Sequence, residues 1–240
     1  MDAWATGADG ASSASPIPTQ PTGADGPGGV GRTDGSGGAG PDANAGGTSA
    51  AETRRSALKA DRRRQLLRAG ATLIAERGFP GVRLEDLGAA VGISGPAVYR
   101  HFPNKEAVLV ELTVGVSDRL LRGGHAVVVA APTPAAALAG LIDFHLDFAL
   151  GDPELIRIHD RDLASLPADA LHRVRQTQRT YVELWVTVLC AIRPGLAEDE
   201  ARVRAHAVFG LLNSTPYSAQ GVAPARTREI LREMAFAVLR

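Results

Sequence analysis

LEDLGAAVGISGPAVYRHFPN, residues 84 to 104, reads as two short helices joined by a tight turn. Leu84, Leu87 and Val91 recur at spacings of three and four, so they share one face of a helix from about Leu84 to Val91. Gly92 follows and provides the sharp turn. Ser94 is placed to cap the next helix, its hydroxyl accepting from exposed backbone N–H groups. Pro96 falls in that helix's first turn, where a missing N–H is harmless, and Pro103 ends it after Phe102. Two short helices joined by a Gly-containing turn of three or four residues form a helix-turn-helix, whose second helix lies in the major groove of DNA.

A groove about 12 Å wide admits one helix, which then needs an apolar side for its own domain and a small or polar side for the DNA. Val98 and Phe102, four apart, supply the apolar side, while Gly95, Pro96 and Ala97 add little bulk at the N-terminal end. Tyr99, Arg100 and His101 then project outward. A Tyr hydroxyl and a His N–H are neutral donors for phosphate oxygens, and Arg reaches either a phosphate or a guanine edge. Lys105, in the first turn of the next helix, would hold a phosphate together with the exposed N–H groups there.

The formal net charge of zero conceals a division along the chain. Residues 1–52 carry one Arg against six acids, a net of −5, whereas residues 53–112 carry eleven Arg and Lys against six acids, a net of +5. The remainder balances. A basic block beside an acidic segment and a neutral body is what a local DNA footprint requires. From Met1 to about Ala51 the chain is mostly Gly, Ala, Ser, Thr, Pro and Asp, with Trp4 the only aromatic. Such a segment cannot bury enough apolar surface to offset roughly 1–2 kcal/mol per residue of backbone ordering, so residues 1–52 are expected to be a disordered tail. Its start, MDAWATGADG, has no apolar segment of the signal-peptide kind, and no apolar run reaches the roughly 20 residues that span a bilayer. Cys190 is the only cysteine, so no internal disulfide forms.

Outward from the motif the patterning is helical throughout. Leu66, Leu67, Leu73 and Ile74 place an amphipathic helix over about Lys59–Arg77, stopped by Gly78. Asn104 caps a helix carrying Val108, Leu109, Leu112, Val116 and Leu120 on one face. Further helices are expected at 134–150, 154–163, 168–192, 197–214 and 225–239, separated by Pro- and Gly-containing breaks. Val127-Val128-Val129 has strand propensity but no evident partner strand. The expected fold is all-α: a three-helix head over residues 53–112 and a larger helical domain over residues 113–240.

GFPGVRLEDLGAAVGISGPAVYRHFPNKEAVL, residues 78 to 109, resembles the DNA-binding domain of TetR/AcrR transcriptional regulators. The match covers about Arg62–Leu112 essentially without gaps, including Phe79, the Gly-Ile-Ser turn, the Val-Tyr-Arg-His-Phe run and Lys105-Glu106. The resemblance implies phosphate contacts by Ser94, Tyr99, His101 and Lys105, with Gly95, Pro96 and Arg100 near bases. Many members carry Thr where this chain has Arg83, so a phosphate contact there would be made by a guanidinium instead of a hydroxyl.

The same resemblance implies a ligand-binding and dimerisation domain over residues 113–240, whose last two long helices pair across a twofold axis. Val208, Leu211, Leu212, Ile230, Met234 and Val238 are the candidates for that seam, though either set would also serve as ordinary core. Phe144, Phe148, Tyr181 and Trp185 are large rings that would line an effector cavity or fill the core. The stretches HDRDLASLP, VRQTQRTYVELWV and FGLLNSTPYS are similar to members linked to lipid or acyl-CoA metabolism, which implies a small apolar or amphipathic effector such as a fatty-acyl or acyl-CoA molecule. The implied protein is a cytoplasmic, nucleoid-associated homodimer that represses from a palindromic double-stranded DNA operator, without cofactor, metal or membrane.

Two other readings compete. Asp143, His145, Asp147, His159, Asp160 and Asp162 form the only dense His and carboxylate cluster, of the type a metal-dependent enzyme would use. On one helix, however, His145 points about 200° away from Asp143 and Asp147, and the chain has no H-E-x-x-H, G-x-S-x-G or Walker pattern. The other reading is a helix-turn-helix protein that binds DNA without any effector.

Overall fold

Strong helix formers and well-placed caps organise the chain into ten α-helices and one 3-10 turn in the computed structural model, which describes residues 45–239, with side chains from Thr53. Helix α1 spans Ala45–Arg77, α2 Leu84–Ala90, α3 Gly95–Val98 and α4 Lys105–Ala130. The body follows with α5 Pro134–Gly151, α6 Pro153–Asp162, α7 Ala168–Ile192, α8 Glu198–Leu212, α9 Thr215–Ser218 and α10 Pro224–Leu239. The 3-10 turn Leu163–Ser165 joins α6 to α7. No strand occurs among the described residues, in agreement with an all-α fold.

One local expectation needs correcting, and two features go beyond the sequence reading. Helix α1 begins at Ala45, not near Lys59, so its first turns lie in residues assigned by composition to the tail; the rest of that segment, residues 1–44, lies outside the described residues. The run SAAETRRSALK is rich in Ala, Glu, Arg, Leu and Lys, whose helix propensity is diluted when averaged with the glycines before it. Val127-Val128-Val129 continues α4, because a helix satisfies its backbone groups locally and a strand without a partner does not. The single-turn α9, with Pro216 in its first turn, was not foreseen.

Residues 61–239 form one compact unit. Residues 45–60 fall in another, where the side chains from Thr53 to Ala60 are all exposed. In the head, Leu66 and Ile74 of α1 join Leu84 and Leu87 of α2, Val98 of α3, Phe102, and Val108 and Leu109 of α4 in a shared core. Burial of Phe102 alone contributes roughly 1.5–3 kcal/mol. Asn104 caps α4 by accepting from Ala107 N–H at 2.8 Å, and Thr133 caps α5 by accepting from Ala136 N–H at 3.2 Å. Helix α4 runs without a break through residues 112 and 113, so head and body share one rigid rod.

In the body, α4 packs against α5 and α7, α7 against α8, and α10 against both α8 and α5. Helix α5 is long and apolar enough to cross a membrane by length and composition. It serves as a core helix instead: Leu141, Ile142, Leu146 and Ala149 are buried, and Asp143 and Asp147 form ion pairs with Arg232 and Arg228 of α10.

Candidate nucleic-acid interface

Close crossing of α2 and α3 creates the reading head, and two glycines permit it. A β-carbon at Gly88 would stand 2.5 Å from Val98 Cγ2 and 3.0 Å from the Ile93 carbonyl oxygen, so only hydrogen fits there. Gly92 takes φ +70°, the left-handed conformation that reverses the chain between the helices. With the crossing set, Val98 and Phe102 are fully buried. Ser94, Pro96, Tyr99 and Arg100 are exposed, and Gly95, Ala97 and His101 are half-buried. The apolar and outward sides of residues 94–102 are therefore separated as a groove-reading surface requires.

Several details differ from the sequence reading. Helix α3 is a single turn, Gly95–Val98, and ends four residues short of Phe102. Ser94 occupies the N-cap position, but its hydroxyl makes no cap bond; its carbonyl accepts from Ala97 N–H at 2.9 Å instead. The Ser94 hydroxyl stays on the surface. Arg83 occupies the N-cap position of α2, where Asp86 accepts its backbone N–H at 2.9 Å, and its residue is exposed.

Lys105 has internal partners that the sequence reading did not give it. Its ammonium donates to the carbonyls of Phe79 (3.0 Å) and Val82 (3.2 Å) and lies 4.5 Å from the centre of the Phe79 ring. It is a fastener for the turn between α1 and α2, with two of its three donors turned into the domain. The carbonyls of a turn have no helical partners, which is why an ammonium settles there. Arg63 acts similarly. Its guanidinium lies over the Phe102 ring at 4.1 Å and bonds Glu111 and the His101 carbonyl, so part of the basic block is internal bracing.

Glu85 is a residue that sequence reasoning missed. Its carboxylate accepts the Tyr99 hydroxyl at 2.7 Å. That bond, first among the causes, holds the Glu85 carboxyl below the usual carboxylate range and pushes the Tyr99 phenol up. Its signal was faint: an acid in the first turn of α2, opposite a helix whose outward residues had been assigned to DNA.

A second set of residues joins the head to the body. The buried Asp162, at the end of α6, accepts Phe79 N–H at 3.1 Å. Arg161 pairs with Asp162 at 2.9 Å and donates to the Ile74 carbonyl at the end of α1. These residues belong to the stretch HDRD, whose acids were candidates for a metal site.

The remaining members of that cluster are dispersed. Asp160 accepts from the Tyr217 hydroxyl at 3.2 Å. His145 Nε2–H donates to Asn213 Oδ1 at 3.0 Å, and the Tyr181 hydroxyl lies 3.3 Å from Nδ1. Gln178 Nε2 lies 3.3 Å from His159 Nδ1. Burial pushes both histidines down to about 4. Among the described residues no three His, Cys, Asp or Glu side chains converge as metal ligands.

The candidate ligand residues occupy different environments. Tyr181 and Trp185 are fully buried in an aromatic cluster with His145 and Phe209, whose ring centres are 5.0–6.3 Å apart. Phe144 is half-buried against Gly123 of α4. Phe148 lines a cavity of about 10 Å³, room for one water, together with Val116, Leu120, Ile156, Ser117, His159 and Asn213.

The seam candidates divide sharply. Val208 and Leu212 are fully buried within their own protomer and cannot meet a partner. They face inward because α8 packs against α7 and α10 along that side. Leu211 and Ile230 are half-buried, and Met234 (46 % exposed) and Val238 are open. Val203 (69 % exposed), Ala207 and Gly210 of α8 extend the same apolar strip.

With this geometry in place, comparison with known proteins defines the class. The model of the bacterial regulatory proteins of the tetR family matches residues 66–112, and that of the tetracyclin repressor-like C-terminal domain matches residues 131–239. The chain belongs to the TetR family of bacterial regulatory proteins, which are regulators and not enzymes. It is 28% identical over 125 residues to the HTH-type transcriptional repressor KstR2 of Rhodococcus jostii, covering 52% of this chain and 61% of that repressor. The match thus spans about three fifths of the length of that relative. A TetR-family regulator from Bordetella parapertussis has the same fold, with a TM-score of 0.65 at 24% identity over 72% of this chain and 93% of that one. So does AibR, solved in complex with isovaleryl coenzyme A and operator DNA, with a TM-score of 0.61 at 18% identity over 73% of this chain and 98% of that one.

Proposed function

We propose that this protein is a sequence-specific, DNA-binding repressor of transcription that works in the cytoplasm as a homodimer on a palindromic operator. The observation that carries the reading is the division of residues 94–102: Val98 and Phe102 are fully buried while Tyr99, Arg100, Pro96 and Ser94 face out. Ser94, Tyr99 and His101 are assigned to phosphates, with Arg83 joining them through its guanidinium, and Gly95, Pro96 and Arg100 to base edges. Lys105 positions the α1–α2 turn. A single reading head has a small footprint, and a twofold pair of heads doubles it. The strip of exposed Val203, Ala207, Gly210, Met234 and Val238, with half-buried Leu211 and Ile230, is the surface we assign to the dimer.

A small apolar or amphipathic effector, of the fatty-acyl or acyl-CoA kind, would release the operator. AibR, which shares the fold, was solved with isovaleryl coenzyme A and operator DNA. The cavity beside Phe148 lies against α6, and α6 ends in the Arg161–Asp162 contact with Ile74 and Phe79 of the head. A molecule that widens that cavity would move α6 and, through Asp162, the turn that sets the head. It acts only by binding the released state better than the DNA-bound one. A constitutive binder without effector is the second reading, favoured by the close packing of Tyr181 and Trp185 and the one-water size of the cavity.

Protection mapping of the region upstream of its own gene tests the proposal, repeated with a panel of acyl-CoA esters. A protected palindrome that an ester erases supports the effector-released repressor. Protection that no ester alters selects the constitutive binder, and purified protein that ignores duplex DNA in dilute salt overturns both.

A further inference from the structure

Glu85 puts a negative charge on the edge of a surface that is to receive phosphates. A carboxylate in the first turn of α2 is favoured by the helix dipole. This one leans across to α3 as well. A β-carbon added at Gly95 would stand 3.3 Å from Glu85 Cγ, and the Glu85 carboxylate accepts the Tyr99 hydroxyl at 2.7 Å. Gly95 and Tyr99 are four residues apart, so the Glu85 side chain follows the outward edge of the reading helix. Glu85 and Tyr99 are both exposed, and Arg83 adds a smaller attraction on the same carboxylate.

A phenol has one hydrogen to give. Tyr99 donates it to Glu85 or to a phosphate, and once a phosphate takes it the carboxylate is left beside a second anion. That repulsion is relieved where the DNA offers the carboxylate a donor of its own. The major-groove donor suited to Glu is the N4 amino group of cytosine.

We infer that Glu85 is a specificity-determining residue of this surface: it withholds the Tyr99 hydroxyl from phosphates on arbitrary DNA and releases it where a cytosine amino group receives the carboxylate. The inference rests on the DNA-binding reading above and adds a residue that penalises wrong sites as well as favouring the right one.

The test measures binding of the full chain to two duplexes of about 30 base pairs, enough for two half-sites. One is enriched by the wild-type protein from a randomised pool; the other is of mixed sequence. Glu85→Gln keeps the shape and an acceptor oxygen but removes the charge. It should tighten binding to the mixed duplex about tenfold and steepen its salt dependence by up to about one unit per protomer. Binding to the enriched duplex should gain less, so the ratio between the two narrows. Enrichment repeated with Glu85→Gln should lose a cytosine at one position per half-site. Tyr99→Phe should cost more on the mixed duplex in the Glu85→Gln background than in wild type, because a neutral amide oxygen holds the hydroxyl less strongly than a carboxylate and yields it to a phosphate.

Glu85→Ala is measured alongside, with helical content and melting temperature recorded for each variant, and the inference stands only if both Glu85 variants narrow the ratio. An unchanged ratio and enriched sequence, or effects of Glu85 and Tyr99 that simply add, would overturn it. Wild-type protein that selects a sequence, with Glu85 variants that keep the wild-type ratio and the wild-type sequence, removes the inference and leaves the DNA-binding reading standing. Wild-type protein that binds no duplex removes both.

Discussion

Acidification from about pH 7.5 to about pH 5 should cost this protein roughly 4 kcal/mol of stability through His145 and His159. Both are buried and neutral, held near 4 by desolvation. In the unfolded chain a histidine titrates near 6.5, so below that pH the unfolded state binds protons that the folded state refuses. Their contribution is complete above about pH 6.5 and is lost as the pH falls toward the folded value near 4. The expected slope is about 1.4 kcal/mol per pH unit for each histidine, which at pH 5 amounts to about 2 kcal/mol apiece. Small domains have only about 5–15 kcal/mol in total, so the loss is a large fraction.

His206, lowered by burial and then by Arg202, acts in the same direction. Glu183, held low by Arg202, acts in a lower window and is exposed, so it adds little near pH 5. The assay is urea unfolding at fixed protomer concentration across this pH range, with the midpoint and slope read at each step. His145→Gln and His159→Gln, measured singly, should each lower the pH slope by about one histidine's worth. A wild-type slope smaller than that of one buried histidine would refute the reasoning, because the side chains would then be protonated in the fold or open to water.

Other substitutions test the remaining geometry. Gly88→Ala should cost about 1–3 kcal/mol by overpacking against Val98, with part recovered by Val98→Ala, as read from melting curves. Asp162→Ala, which leaves the buried Phe79 N–H without its acceptor, should cost about 1–3 kcal/mol, whereas Asp162→Asn keeps an acceptor and should cost less; equal losses would place the effect elsewhere. Lys105→Ala should lower the melting temperature and leave the salt slope of DNA binding unchanged. A slope flatter by about one unit per protomer would return Lys105 to the phosphate interface. Met234→Arg on the exposed strip should give a folded monomer in sedimentation, and an unaltered dimer would move the seam off α10.

Local chemistry was well marked in the sequence. Gly92 marked the turn, Asn104 capped α4 and the apolar spacing of α7 predicted residues 168–192, because turns, caps and helical periods act within about four residues. The inward side of the reading head, Val98 and Phe102, followed from the same period. The spacing of α8 was equally regular, yet it could not say which of its two apolar sides faced the core. Val208 and Leu212 proved internal, while Val203 and Ala207 remained open.

From residue order alone came the all-helical class, the break points between most helices and the helix-turn-helix, each set by neighbours a few positions apart. The folded chain decided the partners of the polar groups. Lys105 closes on Phe79 across 26 positions, Asp162 on the same residue across 83, and Arg228 on Asp147 across 81. A charge in a sequence has no intrinsic direction; it takes one only when packing brings an unsatisfied carbonyl, N–H or opposite charge within hydrogen-bond reach.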